Sequence, residues 1–152
     1  MPRAPFQVLV YPYRKRADGA FEYALFQRSD AGWWQGVAGG GEDDETKIEA
    51  AKRETLEEAG LSQDLKFIQL DTVVPIRARG FRDSHLWGDG VYVIPQYCFG
   101  VWVEDCEIVL SQEHSACRWL GYEDALALMK FDGNKTALWE LDCRLTGSGP
   151  RD

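Results

Sequence analysis

A chain of 152 residues suits one domain of ordinary size. It is 45% hydrophobic and 28% charged, a profile that excludes a disordered chain. Its formal charge of −8, from 25 acids against 17 bases, disfavours a sequence-independent nucleic-acid binder, which needs a basic footprint. No apolar run reaches the roughly 20 residues of a membrane helix. The longest, at 91–103, is broken by Pro95, Gln96 and Gly100. The start of the chain carries no apolar leader, so a cytoplasmic protein with no membrane partner is expected. Cys98, Cys106, Cys117 and Cys143 form no CxxC pair, and there are two histidines. That argues against structural zinc and for buried, reduced thiols.

Residues 6–15 are rich in β-branched and aromatic types and read as a strand. A turn at 17–20 leads to a second strand at 21–28, making a hairpin. After a loop at 29–32, a short strand at 33–37 runs into the glycine loop Gly39-Gly40-Gly41. Residues 45–59 give the strongest helix signal, closed by Gly60 at the position of a C-terminal cap. Two long β-rich segments follow at 65–78 and 91–103, then short strands at 107–110 and 116–120. Helices are expected at 122–130 and 134–144, with Asn134 as an N-cap of the second. The order suits a mixed α+β or α/β domain over 1–146, with a flexible tail at 147–152.

The acidic excess is concentrated. Residues 41–58 carry eight acids and three bases, a net −5. On a helix Glu54, Glu57 and Glu58 fall within an arc of about 100°. Ile48, Leu56 and Ala59 point the other way, with Thr55 at the edge, so that side is expected to pack on a sheet while the glutamates face outward. Carboxylates this close repel one another, and Glu57 and Glu58 sit at the end of the helix dipole that disfavours anions. A divalent cation converts that repulsion into attraction, and an oxygen-only donor set suits Mg²⁺ or Mn²⁺. The competing reading is a solvated charged face.

The spacing is more specific than the charge. Gly39 is followed after five residues by Glu45, and after seven more by Arg53-Glu54-Thr55-Leu56-Glu57-Glu58-Ala59-Gly60-Leu61. This resembles the box of the Nudix family, GX5EX7REUXEEXGU, where U is a bulky aliphatic. Every invariant letter matches; Thr55 departs at the first U, and Asp44 stands where many members carry glycine. The resemblance implies an α/β/α sandwich around a mixed sheet. It also implies metal binding by Glu54, Glu57 and Glu58, with the carbonyl of Ala38 as a further ligand. Arg53 would orient the glutamates, Glu45 would anchor the loop, and Gly39 and Gly60 would permit its turns.

Outside the box, Gln27-Arg28, Trp33-Trp34-Gln35 and Glu113-His114 with Trp119-Leu120 look like the branch of the family that acts on dihydroneopterin triphosphate and dATP. The resemblance makes Glu113 a further metal-site carboxylate. Arg28, Arg77 and Arg79, with Arg82 beyond, are candidates for phosphate contacts, because arginine grips phosphate in a bidentate manner. Trp33, Trp34, Phe81 and Trp87 flank loops, where one stacks on a base or pterin. Trp102, Trp119 and Trp139 read as core. The expected activity is Mg²⁺-dependent pyrophosphohydrolysis (Mn²⁺ as substitute) of a small-molecule nucleoside or pterin triphosphate, with Glu57, Glu58 and Glu113 as candidate bases. The alternatives are a broad house-cleaning or capped-RNA Nudix hydrolase, and a non-cleaving Nudix-fold regulator. The chain carries no DNA-binding module; the sequence leaves the oligomeric state open.

Overall fold

The computed structural model describes residues 2–104 and 107–149. The strands are β1 (Arg3–Lys15), β2 (Phe21–Arg28), β3 (Trp34–Gln35), β4 (Val37–Glu42), β5 (Phe67–Arg77), β6 (Val93–Trp102) and β7 (His114–Leu120). The helices are α1 (Lys47–Ala59), α2 (Tyr122–Leu128) and α3 (Asp132–Thr146). The sheet runs β3-β2-β1-β6-β5, with β4 added to β1 and β7 to β2. β1 and β6 are parallel and the other pairs antiparallel, so the sheet is mixed.

Period-two alternation along β1 splits the core into two layers. Leu9, Tyr11 and Tyr13 pack with Ala125, Ala137, Leu138 and Leu141 of α2 and α3. Val8 and Val10 face the other way, against Ala50, Ala51 and Ala59 of α1. The result is the α/β/α sandwich expected from the family resemblance. No helix among the described residues is long and apolar enough to cross a membrane.

Several local expectations are corrected. The glycines at 39–41 form strand rather than loop: Gly39 pairs with Val8 and Gly40 with Gln7. Helix α1 begins two residues later than expected, because Thr46 caps it. The Thr46 side chain accepts from Glu49 N–H at 3.3 Å, and Glu49 accepts from Thr46 N–H at 2.9 Å, a reciprocal capping box. Gly60 then closes the helix in the left-handed conformation, at φ 68°.

The face of α1 that packs is only in part the one expected, since Ala59 and Thr55 are buried as foreseen. Ile48 and Leu56 are exposed, whereas Ala50, Ala51, Glu54, Thr55, Glu58 and Ala59 are buried. A stripe of alanine and threonine lets the helix come closer to the sheet than an isoleucine–leucine stripe would. Segment 107–110 is not a strand; it lies along the end of α1, with Val109 N–H donating to the Ala59 carbonyl at 2.9 Å. Asn134 is not an N-cap. Helix α3 starts at Asp132, and Asn134 is buried in its first turn. Trp102 and Trp119 pack on the two cores, but Trp139 is exposed. Cys98 is buried and Cys117 and Cys143 partly so, all three as free thiols; Cys106 lies outside the described residues.

The capping box is the local device that fixes where α1 begins, and it is exposed, so its loss disturbs no buried side chain. Thr46→Ala is expected to lower stability by about 1 kcal/mol. Urea unfolding should show a shifted midpoint with an unchanged slope.

Candidate metal and polyphosphate site

The site is built where α1 meets β4. A Cβ placed on Gly39 would lie 2.2–2.4 Å from the carboxyl atoms of Glu54, closer than side chains ever approach. Only glycine gives Glu54 that position. Glu54 is 8% exposed and Glu58 4%, so both carboxyls are carried past β4 into a protected edge rather than into open water.

Arg53 holds the group together. Its Nε donates to Glu45 Oε2 at 2.6 Å, and Nη2 donates to Glu45 Oε1 and the Gly40 carbonyl, both at 2.9 Å. Its Nη1 donates to Glu54 at 2.9 Å and to Glu57 at 3.2 Å. Glu45 in turn accepts from Glu42 N–H at 2.8 Å, which closes the connection between β4 and α1. One guanidinium therefore ties a helix, a strand and a loop. Hydrogen bonding to Glu45, followed by the charge of Glu54, raises the Arg53 pKa further. Arg53 likewise lowers that of Glu45.

Burial acts on two of the glutamates. Burial raises the pKa of Glu54 against the pull of Arg53. Burial first, then Glu113 and Glu54, push Glu58 up to about 10. Its Oε2 is buried with no hydrogen-bond partner in the structure. Both ring nitrogens of His114 are in the same condition, with Nε2 4.0 Å from that oxygen. Burial, and then Arg28, lower the His114 pKa, which favours the neutral imidazole.

Glu113 reaches this edge through the segment docked on the end of α1. Ser111 N–H donates to the Glu58 carbonyl at 3.3 Å, and the Glu113 carbonyl accepts from Ser29 N–H at 3.0 Å. A cavity of about 860 Å³ is lined by Glu54, Glu57, Glu58, Glu113, Arg53, Ala38 and Gly39 together. Gly60 stands at the helix end outside it, and Glu45 acts from behind through Arg53. Among the described residues, no three His, Cys, Asp or Glu side chains are already drawn together as a metal cluster.

Of the expected phosphate-binding arginines, Arg28 and Arg77 line the cavity, as does Arg82. Arg28 is held by Asp30 through two bonds of 2.9 Å. Arg79 lies in the turn after β5 and does not line the cavity, because β5 ends at Arg77. Trp34 does not line the cavity either. It packs on the core beside Arg118, and its neighbour Trp33 lines the cavity, edge-on to Phe131 at 5.2 Å. Phe81 also lines the cavity, whereas the Trp87 indole donates to the Arg3 carbonyl at 2.8 Å.

The lining residues that were not foreseen include Arg3, Gln7, Gln96, Phe131 and Asn134. A signal existed for two of them. Gln7 and Gln96 each interrupt an apolar strand pattern, and they are paired across β1 and β6.

Residues 6–139 match the NUDIX domain family. The asymmetrical bis(5'-nucleosyl)-tetraphosphatase of Sus scrofa is 32% identical over 124 residues, covering 80% of this chain and 78% of that protein. A structure from Listeria monocytogenes assigned to the NUDIX hydrolases is 43% identical, with a TM-score of 0.83 over 95% of this chain and 96% of that one. The dihydroneopterin triphosphate pyrophosphohydrolase of E. coli is 28% identical, with a TM-score of 0.75 over 95% and 99%. With its glycine-seated glutamates and a family match across most of its length, the chain belongs to the Nudix hydrolases.

Proposed function

We propose that the protein is a divalent-metal-dependent pyrophosphohydrolase that cleaves a phosphoanhydride bond in a nucleoside or pterin triphosphate, releasing pyrophosphate and a monophosphate. The observation that carries this reading is the convergence of four glutamates on one cavity, one of them with a buried oxygen that has no partner. The residues fit a hard cation. The donor set is carboxylate oxygen, the Gly39 cradle presents Glu54, and Glu58 Oε2 awaits a ligand. Glu54, Glu57, Glu58 and Glu113 would hold Mg²⁺ or Mn²⁺ with the Ala38 carbonyl. When bound, the cation supplies charge neutralisation and acidifies a water.

The remaining work falls to the chain. Arg53 keeps Glu54 and Glu57 oriented, and the partly buried edge limits water. Arg28, Arg77 and Arg82 give cationic contacts for a polyanion entering an acidic protein. A carboxylate among Glu57 and Glu113, or Glu58 once the cation has displaced its proton, accepts the proton of the attacking water. Trp33 and Phe131 form an aromatic wall suited to a heterocycle.

A second reading is supported by the tetraphosphatase relative and by Phe81, which gives the cavity another aromatic surface. In it the substrate is a dinucleoside polyphosphate. A panel of nucleoside triphosphates, pterin triphosphates and dinucleoside tetraphosphates with Mg²⁺, resolved by chromatography of the products, separates the two. Pyrophosphate plus a monophosphate supports the first reading. Unequal nucleotide products from a dinucleoside tetraphosphate support the second, and no cleavage of any member contradicts both.

Two further outcomes are expected. Glu58→Gln should lower kcat at least about tenfold, since electrostatic contributions of this type are worth several kcal/mol. A smaller loss would remove Glu58 from the metal site. The second outcome concerns pH. The Glu58 pKa is raised on folding from 4.5 to about 10, so the folded state holds the proton more tightly than the unfolded one. The stability conferred is therefore full below about pH 4.5 and is lost as pH rises towards 10. In metal-free protein the melting temperature should fall between pH 6 and 9. Added Mg²⁺ should raise it more at pH 9 than at pH 6, and Glu58→Gln should flatten both trends. Equal metal stabilisation at the two pH values would contradict the assignment.

A further inference from the structure

Strand β4 seats two functional groups through adjacent glycines. Gly39 makes room for Glu54, and Gly40 makes room for Arg3. A Cβ built on Gly40 would lie 3.0 Å from Arg3 Nη1, 3.1 Å from Cδ and 3.3 Å from Cζ. The Arg3 guanidinium therefore lies along the Gly40 backbone, and both residues line the cavity. Successive strand residues alternate in direction, so position 40 faces the same way as Ala38. Two residues of strand span about 7 Å.

The fold holds Arg3 there by its backbone. Its N–H donates to Asp83 Oδ2 at 3.0 Å, and its carbonyl accepts from the Trp87 indole at 2.8 Å. Asp83 makes its bond from the left-handed conformation, at φ 67°. The register of β1 on β4 also shifts between Arg3 and Gln7. The cross-strand partner of Arg3 is Glu42, an obvious anion for it. That pair does not form; the Glu42 carboxylate lies 3.9 Å from Arg53 instead. Among the described residues, no carboxylate pairs with the Arg3 guanidinium and no hydrogen bond engages it. The cavity arginines 28, 53 and 82 each have a carboxylate neighbour, at 2.9, 2.6 and 3.4 Å. Arg3 thus keeps a half-buried positive charge and its N–H donors for a partner from outside the chain.

Chain order gives the direction of approach. Trp33, whose carbonyl accepts from Arg28 N–H at 3.0 Å, forms the aromatic wall with Phe131. Ala38 follows at the carboxylate edge, and Gly40 with Arg3 comes after it. A substrate whose ring rests on the wall, and whose scissile bond meets the carboxylates, extends its remaining phosphate towards Arg3.

We propose that Arg3 binds the phosphate farthest from the ring and makes the site select triphosphates over diphosphates. This rests on reading the cavity as a polyphosphate site. The α- and β-phosphates flank the cleaved bond and are occupied at the carboxylate edge. The γ-phosphate lies beyond them, where the Arg3 guanidinium can donate two parallel, charge-assisted hydrogen bonds. A diphosphate ends short of Arg3 and gains nothing from it.

The test uses the full chain with Mg²⁺ and the α,β-methylene analogues of adenosine triphosphate and adenosine diphosphate, which resist cleavage at the α,β bridge. By calorimetry, Arg3→Gln should weaken the triphosphate at least about tenfold, as expected for losing hydrogen bonds to a charged group. The diphosphate should change by less than about twofold. Arg3→Lys keeps the charge without the paired donors and should fall between wild type and Arg3→Gln for the triphosphate. The bonds from Asp83 and Trp87 reach only the backbone of residue 3, so the melting temperature of Arg3→Gln should stay within about 2 °C of wild type. Equal losses for the two analogues, or undiminished triphosphate binding, would overturn the proposal and leave the polyphosphate reading standing. Failure of the wild-type protein to bind either analogue would overturn both, so the two failures are distinct.

Discussion

The contact between Gly39 and Glu54 is the constraint on which the site depends. A helix carrying three glutamates within one arc has no intrinsic reason to turn two of them inward. It does so here because β4 has no side chain at Gly39 and because α1 presents Ala50, Ala51, Thr55 and Ala59 to the sheet. Small residues on the helix and glycine on the strand set a short separation. That separation places a carboxylate at an edge where an isoleucine or leucine stripe would have filled the space. Ile48 and Leu56 are left exposed as the cost of this orientation.

Electrostatics completes what packing begins. Arg53 joins Glu45, Glu54, Glu57 and the Gly40 carbonyl, so one cation neutralises part of the acidic segment and fixes its geometry. Glu58 has no guanidinium partner, and burial with the neighbouring Glu113 and Glu54 carboxyls favours its protonated form. The division is physically coherent: a divalent ion would find one carboxylate with a buried, unpartnered oxygen, others held by a single guanidinium, and Glu113 delivered by a segment docked on the same helix end. The bulk charge of −8 is thus a poor guide to the potential a substrate meets.

Much of this was legible in the sequence. Box spacing identified the glutamates, Arg53, Glu45 and the two glycines, and Gly60 closes α1 where expected. The facing of α1 was legible only in part: Ala59 and Thr55 pack as foreseen, but hydrophobicity suggested Ile48 and Leu56 where close packing favoured Ala50 and Ala51. Asn134 read as a cap because Asn is a good one; tertiary placement against Gln96 took it into the first helical turn instead. Trp34 and Arg79 were off by one or two positions from residues that do line the cavity. Strand parity and the end of β5 decide such matters, and neither is visible in composition. Gln7 and Gln96 showed only as breaks in apolar runs, since their meaning comes from the pairing of β1 with β6.

The central claim is that glycine at position 39 is what allows the helix to present a metal-binding carboxylate. Gly39→Ala tests it most directly, with Mn²⁺ affinity measured by calorimetry on protein whose circular dichroism confirms the fold. The account requires Glu54 to be displaced and the affinity to fall at least about tenfold, in line with the effect of disturbing the support of a metal ligand. Unchanged Mn²⁺ affinity in a folded Gly39→Ala protein would contradict it.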